Sequence, residues 1–366
     1  MELLRIDCLG KELRLEGSMA GWQQLFWGGT VVAVKHASAD NQGPYTHTFE
    51  LTTPVADEGE PNTINISLEI DLTWQPFSLS YRLLQEQNVL TEGSRNTKDI
   101  EQQVPVKTIE VKRKVSMVGL ASLGFKLLKS AKVIKVVLAG ASIAAYSWLF
   151  SFQFALALIA CLVFHEYGHI KAMKHFGMKT KGIYLIPFMG GLAMSDEKIN
   201  TRWQDVVISI MGPCFGLIMS VVALIAYWIT GEAFFAGLAA FNALLNLFNL
   251  LPILPLDGGH ILKSISFSMN SKAGLIACIA GAAIGVYLSY SLGLALLGFM
   301  LLIGSAEIVF EWKTRHQSHL LPLDRYGQIF SAAWYFLTVG ALIAIIWYLA
   351  ASGDEILALP LKILQS

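Results

Sequence analysis

Long apolar runs fill the chain after about residue 133, and they constrain its fold more than any other feature. A helix needs about 20 apolar residues to cross the hydrocarbon core of a bilayer. Several runs approach that length, so the sequence predicts an α-helical polytopic membrane protein of about six to seven spans, embedded in a lipid bilayer. The candidate spans lie at roughly 136–152, 153–172, 206–229, 232–252, 273–290, 292–310 and 329–350.

Residues 1–92 have a different composition, typical of a soluble domain. INISLEIDLTW alternates apolar and polar residues, which predicts a half-buried strand with Ile64, Ile66, Leu68, Ile70, Leu72 and Trp74 on one face. TVVAVKHA, THTFELTT and FSLSYRLL are shorter candidates, separated by turn-forming residues. The pattern predicts an N-terminal soluble β-rich domain, a small antiparallel sandwich or sheet pair. It contains no catalytic constellation, so a regulatory or substrate-binding role is expected.

Basic residues predict how the chain is oriented. The net charge is zero, which gives no indication of a nucleic-acid partner. Residues 93–132 read as a polar linker that becomes a basic juxtamembrane segment. Lysines and arginines also follow the second, fourth and sixth candidate spans, whereas the loops near 152, 230–233 and 291 have none. Because cytoplasmic loops are enriched in Lys and Arg, a multi-pass protein with its N-terminal domain in the cytoplasm is predicted.

The motif HEYGH at residues 165–169 places ionisable side chains inside one of these apolar runs. His165 and His169 are four residues apart, so both rings project from one face of a helix and can bind Zn²⁺. Glu166 is near enough to accept a proton from water at such a metal. Ionisable groups at membrane depth cost about 2–3 kcal/mol each, and function usually explains them. A proton path and a structurally buried histidine pair are the alternatives.

A catalytic zinc site needs a third protein ligand, and three residues compete for that role. His175 is turned about 240° from His169 if the helix continues, which points it away from the metal. Glu197 lies in SDEKINTR, which has the composition of a solvated loop. Asp257 follows an apolar helix that Pro252 ends, in an unwound segment of the kind that lines membrane cavities.

HEYGH together with NLLPILPLDGG at 249–259 resembles the site-2 protease family of intramembrane zinc metalloproteases, without an evident PDZ domain. The resemblance covers about residues 150–265. It implies a three-helix metalloprotease core, assigned to 133–265, with 266–366 supplying additional transmembrane helices and a C-terminal tail. It also implies that His165, His169 and Asp257 bind one Zn²⁺ per chain, that Glu166 is the general base, and that Asn249 positions substrate or stabilises the oxyanion.

Two further segments fit this resemblance. GIYLIPFMGGLAMS at 182–195 is too short to span a membrane and has the character of a re-entrant hairpin. In the family such a hairpin offers a strand edge to an unwound substrate, which implies substrate binding at Gly190 and Gly191. In MGPCFGL, Gly216 stands where many relatives have Asn. If that Asn makes a polar contact, this chain lacks the contact or obtains it from Asn242, Asn246 or Asn249.

The sequence therefore predicts a zinc-dependent intramembrane endopeptidase that cleaves the transmembrane segment of a membrane-anchored protein, as in regulated intramembrane proteolysis. Its active site would open to the cytoplasmic side, where the loops are basic. The alternative is a membrane transporter in which His165, Glu166, His169 and Asp257 form a proton or metal pathway. Transporters of that kind are often built from repeats, and no repeat symmetry is visible between the halves of this chain.

Overall fold

A computed structural model describes residues 1–19, 21–37, 41–53, 62–103, 131–149, 151–186, 190–195, 199–269, 271–291, 301, 304–305, 308–309 and 320–351. The first part is a β unit of two four-stranded antiparallel sheets, ordered β1-β2-β3-β4 and β5-β6-β7-β8. The predicted β-rich N-terminal region is thus confirmed. The strands are β1 Glu2–Cys8, β2 Lys11–Gly17, β3 Gln23–Trp27, β4 Thr30–Lys35, β5 Gly43–Thr53, β6 Asn62–Trp74, β7 Phe77–Gln85 and β8 Asn88–Asn96.

Leucines and aromatic residues from both sheets form one core. On β6 the alternation works as the sequence predicts, because Ile66, Leu68, Ile70, Leu72 and Trp74 are all buried. Ile64, at the start of that face, is only partly buried. The strands β1, β2, β3 and β8 complete the sheets beyond the runs singled out in the sequence.

The β unit extends past the predicted boundary at residue 92, which falls inside β8. A short helix, α1 (Thr97–Glu101), follows β8 directly, and Asn96 caps it in a reciprocal capping box with Asp99. Ile100 of α1 is 2% exposed and belongs to the core of the β unit. The start of the predicted linker 93–132 is therefore folded β structure and helix, while residues 104–130 lie outside the described residues.

A helical bundle and one hairpin form the second part of the structure. The described helices are α2 Ala131–Leu149, α3 Phe152–His175, α4 Arg202–Thr230, α5 Ala233–Asn249, α6 Asp257–Met269, α7 Ser271–Ser291 and α8 Arg325–Ala350. In the bundle α3, α4, α5 and α6 pack together, with α8 against α4, α5 and α6. The hairpin is β9 Thr180–Ile186 paired antiparallel with β10 Gly190–Ser195.

Three helices in the described ranges, α3, α4 and α8, are long and apolar enough to cross a membrane. Shorter apolar stretches lie in α2, α5 and α7. Large apolar side chains such as Trp148, Ile229 and Leu337 are more than 70% exposed, as expected for surfaces that face lipid. The apolar helices agree with the predicted membrane core. The count of six to seven spans stays a prediction, since most of the span at 292–310 lies outside the described residues.

A break between α5 and α6 shapes the end of the bundle that carries LDGG. α5 ends at Asn249, shortly before Pro252, and residues 250–256 form an irregular turn. Gly258 and Gly259 lie so close to the backbone of 250–254 that a Cβ atom at either would overlap it. Asp257 is the first residue of α6, whereas the sequence predicted that it lies in an unwound segment. The predicted core boundary at 265 falls inside the same helix.

The β unit docks on the membrane core through polar contacts at helix ends. Asn200 donates from Nδ2 to the Ile100 carbonyl oxygen at 3.1 Å, and Gln204 donates from Nε2 to that of Glu101 at 2.9 Å. Gln75, in the β6–β7 turn, donates to the carbonyl oxygens of Ser268 (3.3 Å) and Leu323 (3.0 Å). These bonds tie the β unit to the start of α4, to the last turn of α6 and to the segment that leads into α8.

We expect Gln75→Glu to loosen this docking, because a carboxylate would then face two carbonyl oxygens that it cannot bond. Two hydrogen bonds are worth about 1–3 kcal/mol together, so opening should become about tenfold more frequent or greater. Hydrogen exchange of the full chain in detergent should speed up in residues 265–269. Gln87→Glu, in the turn at the opposite end of the β7 strand, is the matched control. Equal protection in both variants would contradict the interpretation.

Candidate metal centre

Two histidines on α3 supply two of the candidate metal-binding atoms. His165 and His169 are both buried, 3% and 8% exposed, and their Nε2 atoms lie 3.1 Å apart. Their spacing of one helical turn brings the rings to one face, as HEYGH predicts. Two neutral imidazole nitrogens at this separation can bind a single ion together.

Asp257 completes a triangle of ligand atoms. Its Oδ2 lies 3.4 Å from His165 Nε2 and 3.5 Å from His169 Nε2. Zinc binds such atoms tetrahedrally at about 2.0–2.1 Å, which places any two of them about 3.3 Å apart. The three observed separations therefore fit one zinc ion. Two imidazoles and one carboxylate also leave a fourth position open, the arrangement of a catalytic rather than a structural zinc site.

Each histidine is oriented by a hydrogen bond at its other ring nitrogen. His169 Nδ1 lies 2.7 Å from the backbone oxygen of Ile208, and His165 Nδ1 lies 2.7 Å from Oδ1 of Asn246. Both partners are carbonyl oxygens, which can only accept a hydrogen bond, so Nδ1 donates in each case. The lone pair of Nε2 therefore stays available to a metal ion. The Ile208 contact has no sequence signal, because it depends on a backbone carbonyl.

Helix α4 approaches the two histidines at a glycine. A Cβ atom on Gly212 would overlap the Nε2 atoms of both His165 and His169. At the neighbouring positions of the same interface, a Cβ atom on Gly168 of α3 would overlap the Met211 carbonyl group. Small residues let membrane helices approach closely. The Gly-Pro motif of α4 thus leaves free the space in which the ligand atoms meet.

Glu166 lies beside the hairpin rather than in the ligand triangle. Its side chain is 5% exposed, and a Cβ atom on Gly191 of β10 would overlap it. Gly190, the first residue of β10, pairs with Ile186. The structure therefore brings Gly191 against the predicted base, with Gly190 next to it along the strand.

Among the described residues, neither Asn249 nor His175 forms a hydrogen bond with the triangle. Asn249 is the half-buried last residue of α5, and no hydrogen bond in the described structure joins it to the three ligands. α3 runs without a break to His175, whose ring packs on Phe176 with centroids 5.3 Å apart. The helix therefore carries His175 away from the metal face, as its rotation predicts. Glu197 lies outside the described residues.

A second polar cluster, largely buried, joins α6 to α4. Asp205 accepts a hydrogen bond from Ser264 at 2.5 Å, and its other oxygen lies 3.7 Å from His260 Nδ1. Lys263 Nζ lies 3.4 Å from the same nitrogen. Sequence reasoning missed this cluster. The spacing of His260, Lys263 and Ser264 along one helix was its only signal.

Gly212→Ala is expected to abolish stoichiometric zinc binding, because the added methyl group would occupy the space between the two Nε2 atoms. Gly140→Ala, on α2 where nothing lies within 4 Å of the added atom, is the control and should bind zinc normally. Elemental analysis of the purified proteins gives the metal content per chain. Normal zinc in Gly212→Ala would show that the ion is held elsewhere.

Comparison with known proteins agrees with this geometry. The model of peptidase family M50 matches residues 153–231 and 228–289. A putative zinc metalloprotease of Synechocystis sp. is 37% identical over 154 residues, 40% of this chain and 40% of that protein. A zinc metalloprotease of Methanocaldococcus jannaschii is 35% identical over 174 residues, 46% and 47% of the two chains. Stage IV sporulation protein FB of Bacillus subtilis is 26% identical over 188 residues, 47% and 63%.

These matches confirm the resemblance to the site-2 proteases, which form family M50. They also agree with the zinc prediction, since two of the relatives are named zinc metalloproteases. The chain spans less than two thirds of the length of these relatives, so the similarity concerns a shared core.

Proposed function

Given a core that matches peptidase family M50, we propose that this chain is a zinc-dependent intramembrane endopeptidase acting on a membrane-anchored protein. One observation carries the proposal: two histidine nitrogens and one carboxylate oxygen converge within 4.8 Å of one another in a bundle of apolar helices. His165, His169 and Asp257 would hold the zinc. Glu166, which follows His165 in the sequence, would be the general base.

Zinc bound there would act as a Lewis acid and would make water easier to deprotonate near neutral pH, which supplies the nucleophile for peptide hydrolysis. The carboxylate of Glu166 takes the proton of the attacking water and passes it to the leaving amide nitrogen. Burial of Glu166 against Gly191 restricts the carboxylate to a few orientations. We assign Asn249 to the substrate, as a donor to the oxygen on which negative charge develops.

We place the substrate chain against the hairpin. β10 pairs with β9 on one side, and among the described strands its other edge has no partner. An extended peptide can add to such an edge through backbone hydrogen bonds, which brings it past Gly191 and Glu166. A transmembrane helix hides its amides in its own hydrogen bonds, so it must unwind before it can be cut there.

We also propose the membrane orientation that the basic loops predict. The basic loops favour a cytoplasmic position for the β unit and for the end of the bundle to which it is tied.

The transporter alternative would use the same four side chains as a pathway for protons or metal. It is disfavoured because the ligand atoms fit a single bound ion and because two of the matched relatives are named zinc metalloproteases.

Glu166→Gln tests the assigned base. The amide cannot accept the proton, so proteolysis should stop while zinc binding stays at one ion per chain. Membrane proteomes of cells with either form should reveal a single-span protein that accumulates uncut in the variant. Glu232→Gln, in the loop before α5, is the control and should behave as wild type. Retained cleavage in Glu166→Gln would exclude the residue as base, and lost zinc would make it a ligand.

The β unit is proposed to regulate the site through α6. This helix carries Asp257 at its first residue, and Gln75 bonds to Ser268 near its last residue, about 17 Å along the helix axis. A docked β unit would keep α6, and with it the third ligand, in register with α3. A partner that pulled the β unit away would lower activity.

Gln75→Glu should accordingly slow cleavage of the accumulated protein several-fold, with Gln87→Glu at the wild-type rate. The loss arises because α6 is free to shift when its last turn loses the Gln75 contact. Faster cleavage in Gln75→Glu would contradict this and would show that the docked β unit inhibits the site.

A further inference from the structure

A chain of buried polar side chains leads from His165 across α5 to α4. Asn246 and Asn242, one turn apart on α5, are each 2% exposed, and Ser220 on α4 is fully buried. Asn246 bonds to Asn242, and Asn242 donates to the Gly216 carbonyl oxygen at 2.8 Å and to the Ser220 hydroxyl at 2.7 Å. A polar chain of this length inside an apolar bundle calls for a reason beyond packing.

The hydrogen bonds fix the orientation of the Asn246 amide. Its Nδ2 donates to the Asn242 backbone oxygen at 2.8 Å and to Asn242 Oδ1 at 3.1 Å. With Nδ2 engaged in this way, Oδ1 is the atom that faces His165. A flipped amide would present N–H groups to the ring and lose both bonds to Asn242. The amide therefore acts on His165 as an acceptor only.

Gly216 makes room for this amide. A Cβ atom at position 216 would overlap Oδ1, Cγ and Nδ2 of Asn246. Any larger residue there would push the amide off the histidine. The sequence left three asparagines as possible sources of the polar contact that an Asn at position 216 would make. In the structure Asn246 contacts His165 directly, and Asn242 lies behind Asn246.

We propose that Asn246 is a positioning residue for the metal site, and that Gly216 serves to admit it. By accepting the Nδ1 proton, Asn246 holds His165 in the tautomer that presents Nε2 to the ion. The other ligand histidine obtains the same restraint from the Ile208 carbonyl, which no side-chain substitution removes. The inference rests on the proposed zinc site and adds the group that prepares one of its ligands.

A purely structural role predicts a different outcome. If the two asparagines only join α4 to α5, their loss lowers stability but leaves zinc affinity intact in the protein that folds. If Asn246 orients His165, zinc affinity falls when the acceptor is lost, and an acceptor oxygen at position 246 recovers part of that loss. Partners of metal-binding histidines typically contribute about 10–100-fold in metal affinity.

The test measures the zinc dissociation constant of the metal-stripped, full-length protein in detergent by competition with a chelator. Asn246→Leu should bind zinc at least about tenfold more weakly than wild type. Asn246→Asp keeps an acceptor oxygen for His165 but loses both bonds to Asn242, so its affinity should lie between those of wild type and Asn246→Leu. Ser220→Ala removes the far end of the chain without touching His165 and should bind normally. The visible spectrum of the cobalt-substituted proteins reports changed ligand geometry independently.

Gly216→Ala supplies a second route to the same loss, because it displaces Asn246 without altering it. Combining it with Asn246→Leu should add no further loss of affinity. Wild-type affinity in folded Asn246→Leu and Gly216→Ala would overturn the inference, as would equal losses in Asn246→Asp or Ser220→Ala. If wild type itself binds no zinc, the proposed function fails instead, so the two failures are distinguishable.

Discussion

The convergence of His165, His169 and Asp257 is the interaction on which the rest of this structure depends. Ionisable groups inside an apolar bundle are costly unless they bind one another or an ion. Here three such side chains bring their ligand atoms to within 3.1–3.5 Å. Much of the surrounding sequence serves that convergence. Gly212 keeps α4 out of the shared space, and Gly258 and Gly259 let α6 start against the backbone of the turn before it.

The three proposed zinc ligands depend on the fold to different degrees. The two histidines share α3, so one turn of helix sets their relation, and the site requires only that their rings be oriented. Asp257 comes from another helix, and its position depends on the turn at 250–256. Tyr335 of α8 also fixes that turn, because its hydroxyl donates to the Leu250 carbonyl oxygen at 2.6 Å. The third ligand is therefore supported by long-range packing as well as by local structure.

This difference explains what the sequence could predict. Periodicity finds His165 and His169 on one helix face and the buried face of β6, because both follow from local geometry. Asp257 needed the resemblance, since nothing local relates it to α3. The orientation of Asn246, the Ile208 acceptor and the docking of Gln75 on α6 arise only when distant segments pack. For the same reason the predicted boundary at 92 cut through β8, whose place in the sheet depends on pairing with β7.

A site divided between two helices in this way could be controlled through α6. α3 carries both histidines and the proposed base, and α6 carries the remaining ligand. The β unit contacts the last turn of α6 through Gln75, which bonds to the Ser268 carbonyl oxygen. Asp205 of α4 also bonds to α6, at Ser264. A small movement of α6 against α3 would lengthen the distances from Asp257 to both histidines and leave the histidine pair unchanged. The proposed regulation by the β unit would therefore require no contact with the reacting atoms, because α6 connects the contact with Gln75 to Asp257.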